Sequence, residues 1–561
     1  MSNPGGHPPA PCRGRCPAGT DAAAYVALIA EGRIAEAYDV ARAPNPMVSI
    51  SGRVCAAPCE SGCRRSLIDQ PVSIRALKRV LTESFGVEAG TRSRWSRAIG
   101  TLPAMTRPSI GIVGAGPAGL AAAHDLRIAG HKVTLYERQN KPGGMLTYGA
   151  PPFRLPRAIA EAEFQAIIDL GVTLKTGCEI GTRRALESLL AEHAAILVAV
   201  GCHQGRSGPF PGADLQGVVH AVDFLRTCNS VRDTTSHPLQ GPCVVVGGGS
   251  VALDAARSAV RRSVRDSGYP VTVVARRSRE ELRAPAEEVQ HALEEGVELR
   301  AGFGVRRILG DTRVEAVEIA PLLSTFDKTG TYAPVFDMNG IQTLAAHTVV
   351  LSLGQQVDAG FVEAVSGITT TSAGSIVADF SGRTAHPRVF AAGDAATGPG
   401  NLIEAIAFGQ RAAACITESV AADIKTNVSN TESGTRSLPV APPSSDDRRY
   451  WTGYDTISRQ PCPATAVTQR DATADVELTL PMTSAQLEAS RCLRCDEHLR
   501  LSPSGCIGCA LCEDICPSGC LALLPAADSV ELSIDDDRCL RCRLCVDRCP
   551  ANVLSFASIA P

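Results

Sequence analysis

"PSIGIVGAGPAGLAAAHDL" at residues 108–126 passes from an apolar stretch through a glycine turn into small and apolar residues at helical spacing. Gly114 permits the tight turn, Gly116 lets a pyrophosphate approach the backbone, and Gly119 allows a helix to pack close on a strand. Pro117 and Ala118 open that helix, whose N-terminus offers partial positive charge to phosphate. A lone fingerprint of this kind is weak. Here "HKVTLYERQ" (131–139) follows as a second strand and ends beside Glu137, at the distance where a carboxylate accepts a ribose hydroxyl. A doubly wound α/β unit that binds a dinucleotide is expected.

The pattern returns in "GPCVVVGGGSVALDAARSAV" (241–260), with Gly247, Gly249 and Ala252 in the three positions and Ser250 and Val251 opening the helix. The next strand, "PVTVVARRSREE" (270–281), ends in Arg276 and Arg277 where the acid would stand. An arginine there forks onto a 2′-phosphate that a carboxylate would repel, so NADPH is favoured over NADH. Further on, "RVFAAGDAATGPGNLIEAIAFGQRAA" (388–413) gives a strand, then Gly393 and Asp394, then a helix opening at Asn401 and Leu402. Two nested nucleotide domains closed by a returning strand with an acid outline a flavoprotein that binds FAD and a nicotinamide together.

Length and composition bound the rest. At 561 residues the chain exceeds one core, and its net charge of −3 with mixed signs indicates neither nucleic acid nor a membrane surface as partner. No apolar run is long enough to span a bilayer, and the expected location is the cytoplasm. Twenty-two cysteines fit iron ligation better than disulfides in that compartment. None lies between Cys243 and Cys415, which excludes a redox CxxC inside the nicotinamide domain.

"CIGCALCEDICP" (506–517) and "CLRCRLCVDRCP" (539–550) repeat the CxxCxxCxxxCP run of bacterial ferredoxins. In that pattern the fourth cysteine crosses to the other cluster. One 4Fe-4S centre is therefore assigned to Cys506, Cys509, Cys512 and Cys549, and a second to Cys516, Cys539, Cys542 and Cys545. Zinc accepts four thiolates but does not use this interleaved spacing.

The stretches "GAGPAGLAAAHDLRIAGHKVTLYERQNKPGGMLTYGAPPFRLPR" (114–157) and "VVVGGGSVALDAARSA" (244–259) resemble the small, NADPH-oxidising subunit of glutamate synthase and its relatives, across roughly residues 10–425. The resemblance implies FAD at the first site and the nicotinamide cofactor at the second. It implies Gly143, Gly144, Met145 and Arg154 near the flavin, and Asp394 on its ribityl chain. It also implies a helical cap whose Cys16, Cys55, Cys59 and Cys63 hold a 4Fe-4S centre near the flavin. Relatives carry one more CxxC upstream of the position of Cys12, within an "EA.RCL.C" signature. Here that signature stands at the far end, as "EASRCLRCD" (488–496). A fourth cluster on Cys12, Cys492 and Cys495 is therefore a hypothesis. Its fourth donor is open, because Lys78 occupies the position where relatives offer Gln or Glu.

The expected organisation is a helical iron–sulfur cap (1–105), an FAD domain (106–235 and 375–425), an NAD(P)H domain (236–374), a linker (426–490) and an α+β ferredoxin-like domain (491–561). The expected activity moves electrons between NADPH and ferredoxin or a ferredoxin-dependent oxidoreductase, inside a hetero-oligomeric redox complex, with no catalytic nucleophile. A glutamate synthase small subunit and a non-catalytic wiring subunit are the alternatives.

Overall fold

The computed structural model describes residues 9–230, 239, 241–263, 268–329, 332–363, 367–423, 457–502, 505–526 and 529–558. The chain divides into two compact units, one of residues 102–429 and 464–478, the other of residues 1–101, 430–463 and 479–561.

The first unit is mixed α/β and holds two parallel five-stranded sheets. In one, Arg107–Val113 lies between His131–Tyr136 and Ala195–Val198, with Thr173–Lys175 and Val389–Ala391 at the edges. In the other, Cys243–Val246 lies between Val271–Ala275 and Thr348–Leu351. Their central strands are continuous apolar runs because helices cover both faces of such a sheet. An antiparallel meander running from Phe303 to Ala345 joins the strands of the second domain.

Within the expected linker, residues 426–456 lie outside the described part, whereas residues 464–478 pack on the first unit. Val476 donates its N–H to the Phe153 carbonyl at 3.2 Å. Arg470 pairs with Glu294 at 3.0 Å and with Glu295 at 3.2 Å, and Glu295 also holds Arg257 and Arg261. Burial alone would raise the Glu295 carboxyl, but the Arg257 and Arg261 hydrogen bonds overcome it and hold the group at about 2.

In the second unit, helices Ala22–Ala30, Ile34–Arg42, Val48–Val54 and Ile74–Phe85 bury Tyr25, Ile29, Tyr38, Leu77 and Leu81. Helix Met482–Ser490 adds Ala485 and Ala489 to the same core, so the stretch before Cys492 belongs to the cap's packing. Two antiparallel pairs, Glu497–Leu501 with Leu554–Ser558 and Leu521–Ala526 with Ser529–Ile534, frame the C-terminal cysteines.

Candidate functional site

The first cradle is built from glycines that tolerate no side chain. Gly114 sits at φ +103°, where a side chain is strained, and a Cβ on Gly119 would run into the Gly114 carbonyl oxygen. A Cβ on Gly144 would stand 3.0 Å from the Gly116 Cα, which leaves a bare backbone channel at the N-terminus of helix Pro117–Ile128. Glu137 closes the strand beside it, and its carboxylate accepts from Ala115 N at 3.0 Å and Gln139 N at 2.8 Å. Those bonds fix its orientation and leave lone pairs for a ribose. The bare channel and the fixed acid fit a dinucleotide.

Gly393, at φ +65°, turns the chain after Val389–Ala391 so that Asp394 opens a short helix. Burial, with Glu404 adding to it and the Gly400 N–H opposing it, pushes the Asp394 carboxyl up to about 6. Asn401 and Glu404 cap helix Leu402–Asp423 reciprocally, each accepting the other's N–H at 3.1 Å. Arg154 is engaged elsewhere in the unit, paired with Asp254 at 2.7 Å and Glu288 at 2.6 Å. That engagement places it across the FAD and nicotinamide domains; the "RLPR" motif alone carried no sign of it.

The second cradle has Gly247 at φ +150° and open space around Gly249, ahead of helix Ser250–Ser263. Arg276 and Arg277 follow strand Val271–Ala275; Arg276 stacks over the Phe326 ring at 5.0 Å, and Arg277 donates to the Glu281 carbonyl at 3.4 Å.

In the second unit the cysteines gather in separate groups. Cys506, Cys509, Cys512 and Cys549 line one cavity with Ile507 and Leu554. Cys542 and Cys545 are electrostatic neighbours of Cys539 and Cys516, a second group. Cys520 is buried, with its sulfur 3.3 Å from that of Cys516.

A further cavity is lined by Cys12, Cys63, Cys492 and Cys495, with apolar walls from Ala22, Val26 and Val72. Burial pushes the Cys12 thiol well up, and Cys492, Cys495 and Cys63 add to the shift. Cys495 is pushed up to about 11 by burial, against the pull of Arg541 and Arg64. Four thiols lining one cavity are a donor set that fits an iron–sulfur core. Among the described residues no group of three or more such side chains closes around a single ion, the eight ferredoxin cysteines included. A cubane spreads its thiolates wider than one ion does.

Cys63 thus stands with Cys12 rather than with Cys16, Cys55 and Cys59. Helix Pro58–Ser61 stops at Gly62, where a side chain would press on Arg15 and on the Pro11 carbonyl, and the chain turns Cys63 toward Pro11 and Cys12. Cys59 faces the other way, into the apolar core, with Cys55 and Cys16 as its thiol neighbours. Burial pushes it up to about 12, against the charge of Lys78, which is itself only 5% exposed.

One signal in the sequence was not used. The tetrapeptide Cys-Leu-Arg-Cys occurs at 492–495 and again at 539–542. Its arginine is left-handed in both places, φ +51° at Arg494 and +52° at Arg541. Ala57, Ala510 and Arg543 are also left-handed, each between two cysteines. Such a backbone is uncommon for residues other than glycine, and its recurrence marks the Cys492 loop as built like the ferredoxin loops.

Comparison with known families agrees with this anatomy. Residues 108–409 match the model "Pyridine nucleotide-disulphide oxidoreductase". Residues 8–89 match dihydropyrimidine dehydrogenase domain II, 4Fe-4S cluster, and residues 505–553 match a 4Fe-4S dicluster domain. The chain is 35% identical over 429 residues to the NADP(+)-dependent formate dehydrogenase subunit beta of Moorella thermoacetica, covering 72% of this chain and 59% of that protein. It is 33% identical over 423 residues to the glutamate synthase [NADPH] small chain of Azospirillum brasilense, 72% of this chain and 84% of that one. It is 32% identical over 537 residues to the NADPH-Fe(3+) oxidoreductase subunit beta of Geobacter sulfurreducens, 87% of this chain and 75% of that one. Among the described residues no helix is long and apolar enough to cross a membrane. With dinucleotide cradles on one unit and cysteine cages on the other, the chain belongs to the pyridine nucleotide-disulphide oxidoreductase family, as an FAD-dependent NAD(P)H oxidoreductase that carries 4Fe-4S domains.

Proposed function

We propose that this protein moves electrons between NADPH and a low-potential iron–sulfur partner, ferredoxin or a ferredoxin-dependent oxidoreductase, as one subunit of a larger redox complex. When bound, the flavin exchanges a hydride with the nicotinamide and single electrons with the clusters, and the clusters carry one electron each. The chain's own residues hold and orient. The channel at Gly114, Gly116 and Gly144 takes the FAD pyrophosphate, Glu137 its ribose, and Asp394 its ribityl chain. The turn at Gly247 and Gly249 takes NADPH, with Arg276 and Arg277 on its 2′-phosphate. No side chain is asked to act as a nucleophile or to move a proton.

Four 4Fe-4S centres are proposed. Two use the eight ferredoxin cysteines, in the pairing given above. The third is shared between the chain's two ends, on Cys12, Cys63, Cys492 and Cys495. The fourth has three thiolates, Cys16, Cys55 and Cys59, with Lys78 beside them. The single observation that supports this reading best is the four-thiol cavity joined from both ends of the sequence. The ferredoxin module at 505–553 favours a ferredoxin-type partner over service as a plain glutamate synthase subunit.

The test is anaerobic titration of the purified holoprotein with NADPH. Bleaching of the flavin band followed by cluster signals in EPR supports the reading. A flavin that NADPH leaves oxidised overturns it and leaves a wiring subunit.

A further inference from the structure

Between the shared cage and the ferredoxin module stands one buried guanidinium. Arg541 is 3% exposed at its side chain, and Nε and both terminal nitrogens donate hydrogen bonds. Nε donates to the Glu497 carbonyl at 3.1 Å. One terminal nitrogen donates to the carbonyls of Asp536 at 2.8 Å and Cys539 at 2.9 Å. The other is gripped by both Asp536 carboxylate oxygens at 2.7 Å. Glu497 in turn meets Arg494 of the other Cys-Leu-Arg-Cys loop, at 3.4 Å, so the two loops are tied together through one residue.

Asp536 anchors the joint from the cap as well. Arg64, which lines the shared cavity beside Cys63, lies 3.8 Å from Asp536 and 2.9 Å from Asp537, and His498 stands 3.3 Å from Asp536. Arg541 bonds the Cys539 carbonyl of its own loop, and its Nε bonds the carbonyl of Glu497, two residues beyond Cys495 of the shared cage. Cys539 and Cys545 of the second ferredoxin group are buried, whereas Cys509 of the first is exposed. The module has an inner and an outer centre, and Arg541 belongs to the inner one.

We infer that Arg541 is the positioning residue for single-electron transfer between the shared centre and the inner ferredoxin centre of Cys516, Cys539, Cys542 and Cys545. This inference rests on the shared centre proposed above. In the step, the shared centre gives up one electron and the inner centre gains it; no bond forms or breaks and no proton moves. Two reduced cages close together repel each other's added charge, and a fixed cation between them stabilises both reduced forms. The hydrogen bond to the Cys539 carbonyl and the tie through Glu497 hold the two loops at one separation.

The experiment uses the full-length holoprotein, with iron analysis, EPR-monitored redox titration and freeze-quench after NADPH. Wild type is expected to hold about sixteen iron atoms per chain. R541Q is expected to keep that iron and its rate of flavin reduction. Midpoints of the shared and inner centres shift negative, the outer centre stays unmoved, and reduction of the module slows by about tenfold with loss of a charge-assisted contact. R541K restores the midpoints and only part of the rate, since an ammonium cannot make the fork. D536N, which removes the counter-charge while keeping Arg541 and every cysteine, shifts the same two midpoints positive; it also decides the matter should R541Q lose iron. A full iron count with both midpoints and the order of reduction unmoved in R541Q and D536N overturns the inference while sparing the shared centre. A C492S variant that keeps the wild-type iron content and every EPR signal sinks the shared centre itself, and the inference with it.

Discussion

Arg491 and Glu488 form an ion pair at 2.6 Å in which neither side chain reaches solvent. Glu488 accepts the N–H of Ser73 at 2.8 Å and of Gln460 at 2.7 Å, and Arg491 reaches Asp69 at 2.9 Å and the Gln70 carbonyl at 2.6 Å. Every charge is satisfied, and the loop that follows, Cys492–Cys495, is set against the cap. A buried pair adds little stability over an apolar pair, but removing one partner strands the other.

Arg491→Met is therefore expected to cost about 3–5 kcal/mol in the unit that contains it. It should also release about four iron atoms per chain, those of the shared centre, while the flavin and ferredoxin signals persist. Iron analysis with thermal unfolding checks both, and a variant with full iron and an unchanged transition shows that the loop is held by something else.

The grouping of Cys63 with Cys12, Cys492 and Cys495 makes a prediction that a simple loss of iron does not. C63S and C492S are expected to abolish the same EPR signal, and C59S a different one. The spectra of the remaining centres serve as the internal control. Should C63S instead extinguish the signal that C59S extinguishes, Cys63 belongs with the cap trio.

Much of this anatomy was legible because it is local. The turn at Gly114 and the acid at Glu137 are dictated within one strand–turn–helix–strand unit, and the eight ferredoxin cysteines carry their spacing in two short runs. What escaped depends on contacts hundreds of residues apart. The resemblance implies Cys63 with Cys16, Cys55 and Cys59, whereas the stop at Gly62 and the packing of Pro11 set it in the cavity with Cys12, Cys492 and Cys495. Arg154 sits in a motif next to the flavin loop, yet its partners Asp254 and Glu288 lie in the other nucleotide domain. Residues 464–490 are rich in polar residues and look like a tether, but Arg470 and Glu488 find buried partners that no local pattern announces.

Asp394 gives a pH dependence of defined sign. Its folded value of about 6 lies above the ordinary carboxylate value of 3.8, so the native flavin-free protein binds this proton more tightly than the unfolded chain. The stability contributed is complete below the ordinary value and disappears as pH rises through about 6. The Tm of flavin-free protein is thus expected to decline across that window, and D394N to flatten the decline. With FAD present the direction reverses, because the carboxylate is the acceptor for the ribityl chain, and D394N should bind FAD about tenfold or more weakly. Calorimetry across pH and fluorescence of released flavin read the two effects. Parallel Tm curves for wild type and variant count against the assignment.

In the proposed function, Arg276 and Arg277 select the nicotinamide. They follow strand Val271–Ala275 where the first cradle has Glu137, and the stacking of Arg276 on Phe326 at 5.0 Å fixes a planar cation at the mouth of the turn. A 2′-phosphate there gains charge-assisted hydrogen bonds that NADH cannot make. The double variant R276Q/R277Q is expected to lower kcat/KM for NADPH by about 10- to 100-fold and to change that for NADH by less than about threefold. Stopped-flow reduction of the flavin with each nucleotide separates binding from transfer: the effect should fall on the apparent affinity, with the hydride-transfer rate at saturation preserved. If NADH suffers equally, the arginines order the loop itself and the preference for the phosphate lies elsewhere in the domain.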